Sequence, residues 1–367
     1  MSMVCRNVAT PHRSPAACLR LWFALLLLAL APGLFAQTMT GVGIEPINVH
    51  DPVNGGTMPG FVFYPSTQPT RGTTPIGPYN VAAAFGVPEQ PGAKPLVVIS
   101  HGQAGSDLGH HDLATWLAGH GFVVATIEHP KDNFHDQSGI GHSSVMAGRP
   151  IQVSATINAL LGDPRWKKLI DPNRIGVAGF SMGGYTSLLL VGAVPRFDRF
   201  IGYCERHPED RGTCDTAKQL AAKAGTHGQT EKVYLDAIQN DLGRWGNTAD
   251  PRVKAAFAMA PESVIFDKAG LASIDRPVFL YYAQNDQQLM PSENALHIKP
   301  LIPMLAGSKV VPNADHWVFL APCSAELAKN AGQICRDPDG VDRVKVHEQI
   351  VADALAFFRK TLGVAVH

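Results

Sequence analysis

The chain has 367 residues, 45% of them hydrophobic and 17% charged, and its 31 Lys plus Arg equal its 31 Asp plus Glu. So much apolar sequence excludes a disordered chain, and the charge balance provides no field to draw in nucleic acid or anionic lipid. A small-molecule substrate fits that balance better.

From the N-terminus, Arg6, Arg13 and Arg20 form a basic leader without acidic residues, Leu21–Leu30 is wholly apolar, and Pro32-Gly33 breaks the run before Ala36. This is the pattern of a signal peptide over residues 1–36, cut before Gln37. The apolar run is short of the roughly 20 residues that a bilayer span needs, which argues against a retained anchor. A secreted or periplasmic protein is expected, with no stable membrane insertion after cleavage. Residues 37–367 are then a single domain, and the sequence gives no oligomeric state.

Export decides how the cysteines are read. Cys5 and Cys18 leave with the leader, and Cys204, Cys214, Cys323 and Cys335 remain. Four cysteines allow three pairings, and the local pairs Cys204–Cys214 and Cys323–Cys335 are preferred in an oxidising compartment. Neither pair has the tight spacing of a zinc knuckle, so no metal is expected.

Residues 37–60 read as a lead-in with one strand. Phe61–Tyr64 reads as an early strand and 65–94 as Pro- and Gly-rich loop. A regular alternation follows. Leu96–Ser100 and Phe122–Ile127 are buried strands, separated by a helix over Asp112–Gly119 that Asp112 is expected to cap. Residues 150–161 have helical periodicity, and the strand Arg174–Phe180 runs directly into the helix Met182–Val191. Residues 195–250 interrupt the pattern as a cap or insertion. Strands resume at Val253–Ala260, Val278–Tyr282 and Lys309–Val311, before a terminal helix over Arg343–Arg359. Alternating strands and helices predict an α/β fold of the α/β-hydrolase kind, a mostly parallel sheet covered on both faces. Ligands of such sheets gather at the carboxyl ends of the strands.

Gly179-Phe180-Ser181-Met182-Gly183 is a Gly-x-Ser-x-Gly motif at a strand-to-helix junction. A sharp turn there lifts a serine hydroxyl above the sheet, and the flanking glycines let strand and helix pass closely. Ser181 is the expected nucleophile. The Met182 amide at the helix N-terminus, where the dipole favours negative charge, is one expected oxyanion donor. The loop His101-Gly102-Gln103-Ala104-Gly105 follows a buried strand and offers the Gln103 amide as the other. His101 reads as a buttress of that loop.

A base placed after the nucleophile is best met by His316, past the last strand, with His297 as a rival. The acid is best met by Asp286, past Val278–Tyr282, with Asp267, Asp275 and Asp315 as rivals. His316 would take the Ser181 proton, Asp286 would orient the imidazole, and an acyl-enzyme would form and hydrolyse without a cofactor. Activity should rise with pH as the base deprotonates. His129 and Trp317 are expected in the substrate pocket, and His347 on the surface of the terminal helix.

Ser100-His101-Gly102, Gly109-His110-His111-Asp112-Leu113, Glu128-His129-Pro130 with Asp132-Asn133, Arg174–Tyr185, Asn285-Asp286 and His316 together resemble the bacterial predicted dienelactone hydrolase family. That family is related to platelet-activating-factor acetylhydrolases and polyester-cleaving esterases. The resemblance runs from about Pro95 to His316 and implies ester hydrolysis by Ser181, Asp286 and His316 without a metal. True dienelactone hydrolases use a cysteine where this chain has Ser181, so the likeness indicates lineage more than substrate. The substrate class is then a small or medium carboxylic ester, with a phospholipid acetyl ester or a polyester as alternatives. A non-catalytic binding protein on the same fold is the alternative of another class.

Overall fold

Strand β6 (Lys94–Ser100) has no exposed residue, and its side chains divide by parity. Leu96 and Val98 enter the core on one face, while Val97 and Ile99 enter the core on the other. A strand buried on both faces belongs at the centre of a covered sheet. The computed structural model describes residues 39–215, 218 and 231–363, and there β6 lies near the middle of a nine-stranded sheet. The leader at 1–36 and part of the 195–250 insertion lie outside the described residues.

In chain order the strands are β1 (Gly41–His50), β2 (Thr57–Ser66), the hairpin β3 (Thr74–Ile76) and β4 (Tyr79–Val81), β5 (Ala84–Phe85) and β6. They continue with β7 (Val123–Ile127), β8 (Ile170–Phe180), β9 (Val253–Met259), β10 (Val278–Ala283) and β11 (Leu305–Val311). The sheet order is β11-β10-β9-β8-β6-β7-β2-β1-β5, with β3 and β4 forming a separate pair. From β11 to β7 every pairing is parallel, whereas β2 pairs antiparallel with both β7 and β1. This is the α/β-hydrolase fold expected from the alternation.

Helix α1 (His111–Gly119) and the terminal helix Arg343–Thr361 cover one face through Leu113, Leu117, Ala354 and Phe358. The other face is covered by α3 (Gly148–Gly162), which follows the short α2 (Ser143–Met146), and by α4 (Met182–Leu190). Their buried residues there include Val153, Ile157, Leu188 and Leu189. Between α4 and β9, the described part of the 195–250 stretch carries a 3-10 turn at Phe197–Phe200, a short helix at Tyr203–Arg206 and the helix Glu231–Trp245.

Three expectations change. Residues 41–66 form two paired ten-residue strands, and 65–94 contains β3, β4 and β5. Their Gly and Pro residues punctuate short strands and were misleading as a loop signal. Asp112 does not cap α1; His110 stands at the N-cap, and the Asp112 carboxylate instead meets the His347 ring. His347 is accordingly only 5% exposed, far from the surface position expected of it. Both local disulfides, Cys204–Cys214 and Cys323–Cys335, are present.

Candidate active site

Five adjacent parallel strands deliver five loops to one edge of the sheet. In sheet order, β11 leads to His316, β10 to Asp286, β9 to Glu262, β8 to Ser181 and β6 to Gln103. All five loops therefore lie at the carboxyl ends of adjacent strands, where the ligand crevice of such a sheet is expected.

Ser181 sits at φ 55°, ψ −117°, a left-handed conformation that is strained for a residue with a Cβ. Its neighbours hold it there. The Ser181 N–H donates to the Met259 carbonyl at 2.9 Å, and the Ser181 carbonyl accepts from Tyr185 at 3.0 Å and from Glu262 at 3.2 Å. Gly183 is required by close approach, since a Cβ there would fall 1.9 Å from the Ser100 carbonyl oxygen. The turn lifts Ser181 out of the buried strand, and it is partly exposed while Phe180 and Met182 are buried. Met182 opens helix α4, so its amide is among those without an intrahelical partner.

Residues 102–105 form a tight turn in which Gly105 N–H donates to the Gly102 carbonyl at 3.1 Å, with Ala104 at φ 53°. The Ala104 amide is committed to Asp132 Oδ1 at 2.9 Å. Among the described residues the Gln103 amide has no protein acceptor, which leaves it available at the crevice. Gly102 passes so near Ser181 that a Cβ on it would lie 3.4 Å from Ser181 Cβ.

His316 and Asp286, 30 residues apart, meet through an Nδ1–Oδ2 hydrogen bond of 2.7 Å. They are 2% and 4% exposed. With Nδ1–H donating to the carboxylate, Nε2 remains as the ring's acceptor. Asp286 Oδ1 accepts from the amides of Gln288 at 2.9 Å and Leu289 at 2.7 Å, fixing the carboxylate plane. The His316 ring lies 4.6 Å from the ring of Phe180, the residue before Ser181. Trp317, partly exposed, packs edge-on against His316 at 5.2 Å.

The rival residues are engaged elsewhere. Asp267 caps a short helix through Gly270 N–H at 2.7 Å, and His297 Nε2 bonds the Phe266 carbonyl at 2.8 Å. Asp275 lines a separate cavity of about 480 Å³ beside the C-terminal end of α4. Asp315 accepts from its neighbour His316 N–H at 2.7 Å and from Gln287 N–H at 2.8 Å, so it ties the two loops together.

Behind the turn at 102–105 lies a polar network that sequence reasoning did not anticipate. Arg149, 1% exposed, reaches from α3 to Asp132 at 2.5 Å, to Ser100 Oγ at 3.2 Å and to the His101 carbonyl. His101 Nε2 accepts the His129 amide at 3.0 Å, so its Nδ1–H donates to the Gly102 carbonyl at 2.6 Å. His129 donates through Nδ1 to Gln152 Oε1 at 2.7 Å and accepts the Ser100 hydroxyl at Nε2, 2.9 Å away. Burial first, and then the Arg149 charge, hold both rings far below the usual histidine range. They are neutral, as their mixed donor and acceptor roles require. His101 is the buttress expected. His129 has no exposed surface and both ring nitrogens are occupied, so it supports the loop from behind and does not line the pocket.

A second brace lies under the His316 turn. His347 bonds Asp112 through Nδ1 and the Val318 carbonyl through Nε2 at 2.8 Å, so both ring nitrogens donate and the ring is an imidazolium. Burial opposes that charge, but the charge and hydrogen bond of Asp112 outweigh it and raise the His347 pKa. Next to it, burial carries His110 down to about 4, against the pull of Asp112. No group of three or more metal-ligating side chains occurs among the described residues.

Residues 81–229 match the family model described as the dienelactone hydrolase family. That stretch holds the turn at 102–105 and Ser181, and the likeness read from the sequence is found there again. Among curated proteins none matches the chain. Among solved structures, a ferulic acid esterase from Streptomyces cinnamoneus is similar, with a TM-score of 0.57 and 17% identity over 89% of this chain and 92% of that one. At that identity the likeness speaks for the fold. No helix among the described residues is long and apolar enough to cross a membrane.

Proposed function

We propose that this protein is a serine esterase that cleaves carboxylic esters through an acyl-enzyme on Ser181. The observation that carries the reading is the 2.7 Å bond between Asp286 and His316, formed by two neighbouring loops at the same sheet edge as the serine turn. Neutral His316 accepts the Ser181 proton at Nε2, and Asp286 fixes the tautomer and stabilises the imidazolium that results. The amides of Gln103 and Met182 receive the oxyanion of the tetrahedral intermediate. His316 then returns the proton to the departing alcohol, and water attacks the acyl-enzyme by the same route. The family match and the fold support ester hydrolysis, and the two disulfides suit a protein exported behind the 1–36 leader.

Hydrolysis of p-nitrophenyl esters of graded chain length, alongside a polyester film, tests the reading and sets the acyl length. The parent protein should turn over at least the short esters, and Ser181→Ala should lose that activity. Equal rates in parent and variant would remove Ser181 from the mechanism, and a protein inert to every ester would favour the binding-protein alternative.

A further inference from the structure

The middle loop of the five carries a carboxyl group that the mechanism above leaves unused. Glu262 is half-buried, between the buried residues Pro261 and Ser263. Its backbone is fixed beside the nucleophile through the 3.2 Å bond from its N–H to the Ser181 carbonyl. Behind it, Asn294 Oδ1 accepts the amides of Ser263 at 2.8 Å and Val264 at 3.0 Å, which makes the loop rigid.

Among the described residues the Glu262 carboxyl has no hydrogen-bond or ion-pair partner. The cation that acts on it, Arg149, spends its guanidinium on Asp132, Ser100, Thr186 and the His101 carbonyl. A carboxyl kept beside the reacting serine without a structural partner is free to meet a substrate. Four groups face it electrostatically from the elements around it: Asp132 after β7, Arg149 on α3, Tyr185 on α4 and His316 after β11. Burial, then the Asp132 charge, raise Glu262 to about 7, against the opposing pull of Arg149 and His316. Its charge therefore switches on across neutral pH, on the loop that neighbours the serine turn.

We propose that Glu262 sets the charge selectivity of the ester site, favouring esters with a hydrogen-bond-donating or cationic group near the scissile bond and disfavouring those with a carboxylate there. The inference rests on the serine-esterase reading. It deepens it by assigning a substrate class: neutral or cationic, hydroxyl- or ammonium-bearing esters.

The test compares matched pairs of esters from pH 5.5 to 8.5. On the acyl side the pair is p-nitrophenyl hemisuccinate and its neutral methyl ester; on the alcohol side it is choline butyrate and 3,3-dimethylbutyl butyrate. Whatever alters the serine chemistry itself affects both members of a pair alike and cancels in their ratio. In the parent protein the anionic-to-neutral ratio of kcat/KM should fall with rising pH, or the cationic-to-neutral ratio should rise, by about tenfold, the equivalent of one pKa unit of interaction. In Glu262→Gln, which keeps the amide bond to Ser181, the ratios should be flat with pH. Ratios flat in the parent for both pairs, or identical in parent and variant, would overturn the proposal. The parent series needs no variant to fold, and the activity of Ser181→Ala on the neutral esters separately tests the reading beneath it.

Discussion

On one bank of the crevice, the turn after β6 is fastened by charges and imidazoles that have almost no contact with water: Arg149, Asp132, His101 and His129 are each 0–2% exposed. On the other bank, the loops after β10 and β11 are fastened mostly by side chains that accept backbone amides. Asp286 holds Gln288 and Leu289, Asp315 holds Gln287, and Gln284 holds Asn313 at 2.9 Å. A further bond, Asn285 N–H to the Ala314 carbonyl at 2.9 Å, links the loops directly. The difference lies in what a single substitution leaves behind. On the first bank it strands a buried charge, whereas on the second it removes one bond from a redundant set. The first bank should govern stability and the second, through Asp286 and His316, the chemistry.

The largest effect should come from Asp286→Asn. Its Oδ1 can still accept the amides of Gln288 and Leu289, so the amide group is turned towards His316 Nδ1 and imposes the wrong tautomer. The expected loss in kcat is about 10⁴-fold, the cost of holding the base of a Ser-His-Asp triad in the wrong tautomer, with the thermal midpoint nearly unchanged. Activity within tenfold of the parent would return the acid role to Asp267, Asp275 or Asp315.

Arg149→Met tests the other bank. Leaving Asp132 buried without its partner should cost about 3–5 kcal/mol in urea unfolding. Adding Asp132→Asn should recover part of that loss, because the stranded charge is gone. A cost below about 1 kcal/mol would mean that water or another cation satisfies Asp132, and the contrast between the banks would fail.

The His347–Asp112 brace should appear as a pH dependence. The folded chain holds the His347 proton more tightly than the unfolded chain does. Its contribution is therefore complete below the ordinary histidine pKa and is lost as pH rises through the elevated folded value. The urea midpoint should fall on the alkaline side of neutrality in the parent, and Asp112→Asn should lower it at acid pH and flatten that fall. An unchanged alkaline slope in the variant would place the dependence elsewhere. The smallest effect is expected for Gln284→Ala, which removes one of several bonds between the two loops and should cost about 1 kcal/mol or less.

The same contrast explains what could be read from the sequence. Ser181 stands directly after a short apolar run, Asp286 three residues past one and His316 five residues past Val311, and such runs mark where parallel strands end. That local signal was enough to nominate them and to anticipate the alternation of the fold. Arg149 has no such mark, since an arginine in the first turn of a helix is ordinary until the fold closes over it. The Asp112–His347 pair spans 235 positions, beyond the reach of any local pattern. His129 followed a strand as the rule asks, yet its ring turned inward to Ser100 and Gln152, because position after a strand fixes the loop and not the direction of the side chain. Glu262 is the opposite case. It follows Val253–Ala260 as Asp286 follows Val278–Tyr282, and the same rule applied once more would have flagged it.

The central claim is that Ser181 is the nucleophile, and the most direct measurement is peptide mapping of the protein after reaction with a fluorophosphonate. The account predicts a single covalent adduct on the peptide containing Ser181, absent in Ser181→Ala and formed much more slowly in His316→Ala. An adduct that persists in Ser181→Ala, or that maps to another residue in the parent, would contradict it.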